Sequence, residues 1–138
     1  MHLIVHDRID VAAVTNWVRS AANGAVLVFE GVGRDTHDGK SVRSLRYEAY
    51  SPMAQSELAK IVTETQARWP GTIVAICHRT GEVAIGEPSV VVAVGSPHRD
   101  AGYAASRYAI DELKRRVPIW KQEVYADGTA WIANRDGG

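Results

Sequence analysis

The segment IWKQEVYADGTAWIA, residues 119–133, decides the fold class. Residues 119–125 and 129–133 are rich in β-branched and aromatic side chains, and Asp127-Gly128 between them is a typical hairpin turn signal. Because the two strands of a hairpin run antiparallel, this segment argues against a purely parallel sheet.

Upstream of this hairpin, strand-like and helix-like runs alternate. Residues 72–79 and 89–96 are β-rich and are separated by glycine and proline turn residues. Apolar side chains at helical spacing predict long helices that end before Pro70 and before Pro118, and Asp10 is placed to cap a shorter first helix. We therefore predict an α+β fold, with a mixed, largely antiparallel sheet packed against about three helices.

Composition and charge exclude several classes of function. The 138 residues are 46% hydrophobic and 23% charged, which is typical of one globular domain, here residues 1–138. Lys plus Arg and Asp plus Glu both number 16, and this zero net charge argues against nucleic acid or an anionic membrane as a partner. No apolar stretch is long enough to predict a membrane span. The single Cys77 excludes an internal disulfide and fits a reducing compartment, so we expect a cytoplasmic protein.

A buried strand and a polar loop are predicted in the first third of the chain. Residues 25–29 form a near-continuous apolar run, which predicts a strand buried on both faces. Residues 33–40 are polar and bounded by glycines, so we expect a mobile surface loop. Arg34 stands at the start of this loop, where binding sites are often built. His37 beside Asp38 is a weak metal candidate, because the five histidines show no ligand spacing, and we expect no metal site.

Two of the four lysines, Lys114 and Lys121, flank Pro118. Lys114 falls in the last turn of a predicted helix and Lys121 on the strand that follows, so the reversal can bring both amines to one rim of the sheet. A lysine near apolar surface and a second cation deprotonates more readily, as a nucleophilic or proton-transferring amine must. The alternative is structural: Lys114 would complement the helix C-terminus, and Lys121 would point outward from its strand.

A possible anion site lies at His98-Arg99, between an apolar strand and a predicted helix. Free N–H groups at the helix start favour an anion, and the imidazole and guanidinium would add charge-assisted donors. The alternative is a solvated helix entrance that is capped by Asp100.

Several segments together resemble one known family. They are residues 24–34, 47–50, 78–82, 96–99 and 113–121. The most discriminating is the arrangement of Lys114, Pro118, Trp120 and Lys121. On these residues the chain is identified as a member of the MoaE family, the large, catalytic subunits of molybdopterin synthase. The likeness extends from about residue 1 to residue 132, and it implies the family's α/β hammerhead fold.

The resemblance implies a sulfurtransferase of molybdenum cofactor synthesis. In this family the large subunits form a homodimer. Each binds a small ubiquitin-like, MoaD-like subunit whose C-terminal Gly-Gly carries a thiocarboxylate, which completes a heterotetramer. The sulfur passes to cyclic pyranopterin monophosphate, and two such transfers build the dithiolene of molybdopterin. The resemblance implies no metal and no cofactor for this step.

The resemblance also assigns roles to individual residues. Lys114 and Lys121 match the catalytic lysines, and Arg34 is suited to grip the phosphate. The other substrate-binding candidates are Val32, Gly33, His98, Arg99, Gln122 and Glu123, with Phe29 a weaker one. In the family the His-Arg pair reaches the site across the dimer interface. This interpretation requires two amines and a guanidinium–imidazole cluster to converge on one cavity.

Two positions depart from the family pattern. Gly33 stands where a larger residue is expected. The chain also carries Gly137-Gly138, which resembles the tail of the small partner. A frayed terminus is the plain explanation, and occupation of a neighbouring molecule's acceptor pocket is the alternative.

A second function class is a non-catalytic module that captures ubiquitin-like Gly-Gly tails or anionic metabolites. Such a module also needs a basic pocket. It should tolerate Lys114→Arg, which keeps the charge, whereas a catalytic amine should not.

Overall fold

The computed structural model describes residues 1–133, in which nine strands and three helices alternate. The strands are β1 (His2–Val5), β2 (Ala25–Val32), β3 (Thr36–His37), β4 (Lys40–Ala49), β5 (Ile73–Arg79), β6 (Gly81–Ala84), β7 (Pro88–Ser96), β8 (Ile119–Tyr125) and β9 (Gly128–Ala133). The helices are α1 (Val11–Trp17), α2 (Ser51–Arg68) and α3 (Arg99–Arg116). Gly137-Gly138 lies outside the described residues.

The strands form two sheets. The first has the order β1-β5-β7-β2, with β1 parallel to β5 and the other pairs antiparallel. The second has the order β3-β4-β8-β9, with β6 also paired to β4, and all of its pairs are antiparallel. The β8–β9 hairpin forms where Asp127-Gly128 predicts it. The prediction of a mixed, largely antiparallel α+β fold is confirmed.

The first sheet lies between helices on both of its faces. Along β7, Val90, Val92 and Val94 pack into the larger core with α2 and α3. Val91 and Ala93 point the other way, into a smaller core beneath α1. This period-two alternation buries both faces of β7, one of the two interior strands of this sheet. Within residues 1–133, no helix is long and apolar enough to cross a membrane.

β2 is not buried on both faces, so that prediction is wrong. Val28 and Phe29 are 40% and 37% exposed. Among residues 1–133, β2 is the last strand of its sheet and pairs only with β7. An apolar run does not distinguish an edge strand from a central one, because the position in the sheet depends on distant pairings.

Residues 33–40 contain a hairpin and not only a loop, which corrects a second prediction. Thr36 pairs with Ser41, and His37 pairs with Lys40. Asp38 and Gly39 between them have φ values of 51° and 77°, the left-handed conformation that a tight type I′ turn requires. Asp-Gly is the same signal that predicts the β8–β9 hairpin. In residues 33–40 the hairpin was not predicted, because β3 has only two residues and a strand this short shows no alternating pattern.

Local signals set the helix ends that position the functional residues. Asp10 caps α1 as predicted, since its Oδ1 accepts the Ala13 N–H at 3.0 Å. α3 ends at Arg116, where the Val117 N–H still donates to the Leu113 carbonyl at 3.0 Å. Pro118 has no N–H to continue the helix, so the chain turns there into β8.

Candidate active site

A cavity opens where the end of β2, the β3–β4 hairpin, α3 and β8 meet. Val32 and Gly33, two of the predicted site residues, form part of its wall. Its polar and ionisable side chains are Arg34, Thr36, His37, Tyr47, His78, Ser89, Lys114, Lys121 and Glu123.

Strand register and the Pro118 turn bring the two lysines together. Lys114 lies in the last turn of α3, and Lys121 lies on β8 directly opposite Tyr47 of β4. Glu123 stands opposite Leu45 in the same ladder, so Lys121 and Glu123 share a face of the sheet with two buried residues. Both amines therefore reach one cavity, the geometry that the interpretation requires.

The cavity is electropositive, and its amines are easier to deprotonate than ordinary lysines. Burial lowers the pKa of Lys114, and the nearby charge of Lys121 lowers it further. Burial also lowers the pKa of Lys121, an effect that the Glu123 carboxylate opposes and the Arg34 guanidinium reinforces. Three cations around one carboxylate favour an anionic ligand.

Glu123 ties the β3–β4 hairpin to β8. Its side chain is buried, and its Oε1 lies 2.7 Å from His37 Nδ1. His37 thus has a carboxylate partner at the cavity. Within residues 1–133, no three histidine, cysteine or carboxylate side chains are placed to share a metal ion. Gln122 lies between Lys121 and Glu123 on the alternate face of β8, and it does not line the cavity.

His98 and Arg99 do not meet the lysines within one chain. Arg99 begins α3 and Lys114 lies near its end, 15 residues later, which is about 22 Å along the axis. His98 is itself the N-cap residue, without a side-chain cap, so Asp100 does not cap this helix. The four side chains therefore do not converge within a single chain, in agreement with the expected delivery of the His-Arg pair across a dimer interface. Delivery of the pair by a second copy stays a prediction.

The structure explains why position 33 is a glycine. A Cβ on Gly33 would overlap the Cδ1 atom of Leu45. Leu45 thus fills the space that a larger residue at position 33 would occupy. Phe29, the weaker candidate, is partly exposed on β2 and does not line the cavity.

Two cavity residues, His78 and Tyr47, are not among the sequence-predicted site residues. His78 ends the inward-facing series Val74, Ile76, His78 on β5, and it is 1% exposed. Its ring stands edge-on to that of Tyr47, with the centroids 5.2 Å apart. A histidine at an inward position of an apolar strand is the signal that could have found it.

A family model described as MoaE protein matches residues 4–116. The chain belongs to the MoaE family. Among its relatives, the molybdopterin synthase catalytic subunit of Staphylococcus carnosus is 45% identical over 134 residues, 97% of this chain and 89% of that protein. The human molybdopterin synthase catalytic subunit is 42% identical over 130 residues, 94% of this chain and 69% of that protein.

A solved structure of the family shares the fold. The crystal structure of molybdopterin synthase from Staphylococcus aureus superposes with a TM-score of 0.90 at 43% identity, and 94% of each chain is covered. The MoaE resemblance and the fold class predicted from the sequence are thereby confirmed.

Proposed function

We propose that this protein is the catalytic subunit of molybdopterin synthase, a cytoplasmic sulfurtransferase. Sulfur would pass at the lysine cavity from the thiocarboxylated C-terminus of a small ubiquitin-like subunit to cyclic pyranopterin monophosphate. The observation that carries this proposal is the meeting of Lys114 and Lys121 in one electropositive cavity. The similarity to molybdopterin synthase catalytic subunits of other organisms supports it.

The charges of the cavity suit both reactants. A thiocarboxylate and a cyclic phosphate are each anionic, and Arg34, Lys114 and Lys121 are the cations that line the cavity. Arg34 offers a planar fork of donors for phosphate oxygens. A bound anion beside the lysines also stabilises their protonated form, so binding raises the lowered pKa values.

The chemistry requires proton movement at a partly dehydrated amine. In each transfer the thiocarboxylate sulfur bonds to a substrate carbon and displaces an oxygen substituent of that carbon, which leaves with its bonding electron pair and takes up a proton. Water then cleaves the acyl–sulfur bond, which leaves the sulfur on the substrate as a thiolate and returns the tail as a carboxylate. Lys114 can polarise the acyl group, transfer a proton, or take the acyl chain transiently before water does. A lowered pKa serves the proton transfer and the acyl transfer, because the amine gives up its proton more readily. Polarisation of the acyl group instead uses the protonated form, which a bound anion stabilises.

A second copy of the chain would complete the site. His98 and Arg99 are too far along α3 to reach their own cavity, so a homodimer is needed if they grip the phosphate. The exposed apolar side chains of Val28 and Phe29 on the free edge of β2 support an interface on this side of the molecule.

Reconstitution tests the proposal directly. The protein is mixed with a thiocarboxylated small subunit and the cyclic pyranopterin, and dithiolene product is measured. Lys114→Ala and Lys121→Ala should each reduce the rate by about 100-fold or more. Lys60→Ala, on the exposed surface of α2, is the matched control and should keep the wild-type rate.

Two outcomes would overturn this assignment. Product formation by both lysine variants at the wild-type rate would remove the roles of the amines. Binding of the small subunit without any product from the wild-type protein would favour the non-catalytic module.

A further inference from the structure

The proposed chemistry leaves one buried titratable group of the cavity unused. His78 lies at the end of β5, is almost fully buried, and lines the same cavity as Lys114. A buried imidazole requires hydrogen-bond partners, because an unsatisfied ring nitrogen is costly away from water.

Hydrogen bonding determines which ring nitrogen carries the proton. His78 Nδ1 lies 2.8 Å from the carbonyl oxygen of Arg79. A carbonyl only accepts, so Nδ1 must carry the hydrogen and donate it. The neutral ring then has a lone pair at Nε2, on its opposite side. The ring of Tyr47 packs edge-on against the imidazole and fixes its orientation.

The imidazole is uncharged at neutral pH. Burial lowers the pKa of His78 to about 4, and the charge of Lys114 contributes to the lowering. The ammonium charge of Lys114 is therefore close enough to affect the pKa of His78, but the neutral imidazole adds no charge to the cavity. The other ionisable groups that face Lys114 across the cavity are Arg34, His37, Tyr47, Lys121 and Glu123.

We propose that His78 is a positioning residue for Lys114, and that its Nε2 lone pair is the uncharged acceptor that holds the ammonium group in the cavity. A carboxylate at this place would also hold the ammonium, but it would raise the pKa of the amine and oppose its deprotonation. A neutral acceptor also orients the amine, but it raises the pKa much less than a full negative charge would. The role of this contact in catalysis rests on the proposed function. The contact between His78 and Lys114 does not depend on that function.

The test measures the titration of the Lys114 amine. Trace acetic anhydride labels lysines in proportion to their deprotonated fraction, and peptide mass spectrometry reads each site across a pH series. Lys60, exposed on α2, is the internal reference. His78→Leu removes the acceptor, whereas His78→Gln places an amide oxygen near the position of Nε2.

His78→Leu should lower the titration midpoint of Lys114 by about one pH unit, a tenfold loss of proton affinity, because the charged form loses its acceptor. His78→Gln should keep the midpoint near the wild-type value, and Lys60 should be unchanged in both variants. An unchanged Lys114 midpoint in His78→Leu, or an equal shift in both variants, would overturn the proposal.

A measurement on the unmodified protein decides the same question if a variant fails to fold. Nitrogen-15 NMR of labelled histidine should show neutral His78 with its proton on Nδ1. A proton on Nε2 would leave no lone pair for Lys114 and would overturn the proposal. Neither experiment needs sulfur transfer, so a failure of the proposed function would be seen separately, in the reconstitution.

Discussion

Lys114 and Arg116 are two residues apart in the last turn of α3, and their surroundings are opposite. Arg116 is held by carboxylates: its Nη2 lies 3.0 Å from Glu57 and 2.9 Å from Glu64, and its Nη1 lies 3.3 Å from Glu112. Its hydrogen bonds to Glu64 are the main cause that raises the pKa of Arg116. Lys114 faces the cavity, where the charged group that affects its pKa is another cation, Lys121.

The difference separates a structural cation from a proposed catalytic one on the same helix. Arg116 joins α3 to α2 through Glu57 and Glu64, which lie on α2. Arg116 is therefore a structural cation that links two helices. At Lys114, burial beside a like charge lowers the pKa of the amine, which fits the proposed catalytic role.

The largest effect should come from exchanging the two kinds of cation at the two positions. Lys114→Arg keeps the positive charge but removes an amine that can lose its proton, so product formation should fall by about 100-fold or more. Arg116→Lys should keep the wild-type rate, because Arg116 does not line the cavity. Both rates are measured in the reconstituted sulfur-transfer assay on folded protein.

An active Lys114→Arg protein would break the comparison. It would mean that position 114 needs only a charge, as the non-catalytic module predicts. A rate loss in Arg116→Lys as large as that in Lys114→Arg would show that product formation is reduced by any substitution of a cation in the last turn of α3.

The next effect concerns stability. Arg116→Met removes the partner of three partly buried carboxylates, so the free energy of unfolding should fall by about 1–2 kcal/mol at pH 7. Hydrogen bonds from Arg116 lower the pKa of Glu64, and those from Arg115 and then Arg116 lower the pKa of Glu112. This stabilisation is present above the ordinary glutamate pKa and is lost as the pH falls through the lowered values.

The loss caused by Arg116→Met should therefore shrink below about pH 4, where the carboxylates become protonated. Urea unfolding of both proteins at pH 7 and in acid measures it. A difference that is the same at both pH values would show that the lost stabilisation is packing of the side-chain stem and not its charge.

The fold class could be predicted from sequence because local signals agree with it. Asp127-Gly128 predicts the β8–β9 hairpin, and Pro118 predicts the end of α3. The edge position of β2 could not be predicted in the same way, because it depends on pairing with β7, more than 50 residues away in the chain. Residues 36–41 escaped prediction because a two-residue strand has no periodicity.

The cavity was only partly predictable for a related reason. Lys114 and Lys121 are close in sequence, so one turn suffices to bring them together. His78 reaches them through β5, which lies in the other sheet, and no local pattern connects it to α3. The separation of Arg99 from Lys114 was foreseeable from helix length alone, since an 18-residue helix holds its two ends apart.

The smallest effect sharpens the comparison most, because it has the opposite sign at the two positions. Lys114→Met removes a half-buried charge beside a second cation, so the free energy of unfolding should rise, by less than about 1 kcal/mol, while Arg116→Met lowers it.

The folded pKa of Lys114 lies below its unfolded value, so the unfolded state holds this proton more firmly. Wild-type stability should therefore increase as the pH rises towards the unfolded pKa, and the advantage of Lys114→Met should vanish there. Thermal unfolding of both proteins at pH 7 and near pH 10 measures this. A Lys114→Met protein less stable than the wild type at pH 7 would place Lys114 with Arg116 among the structural cations.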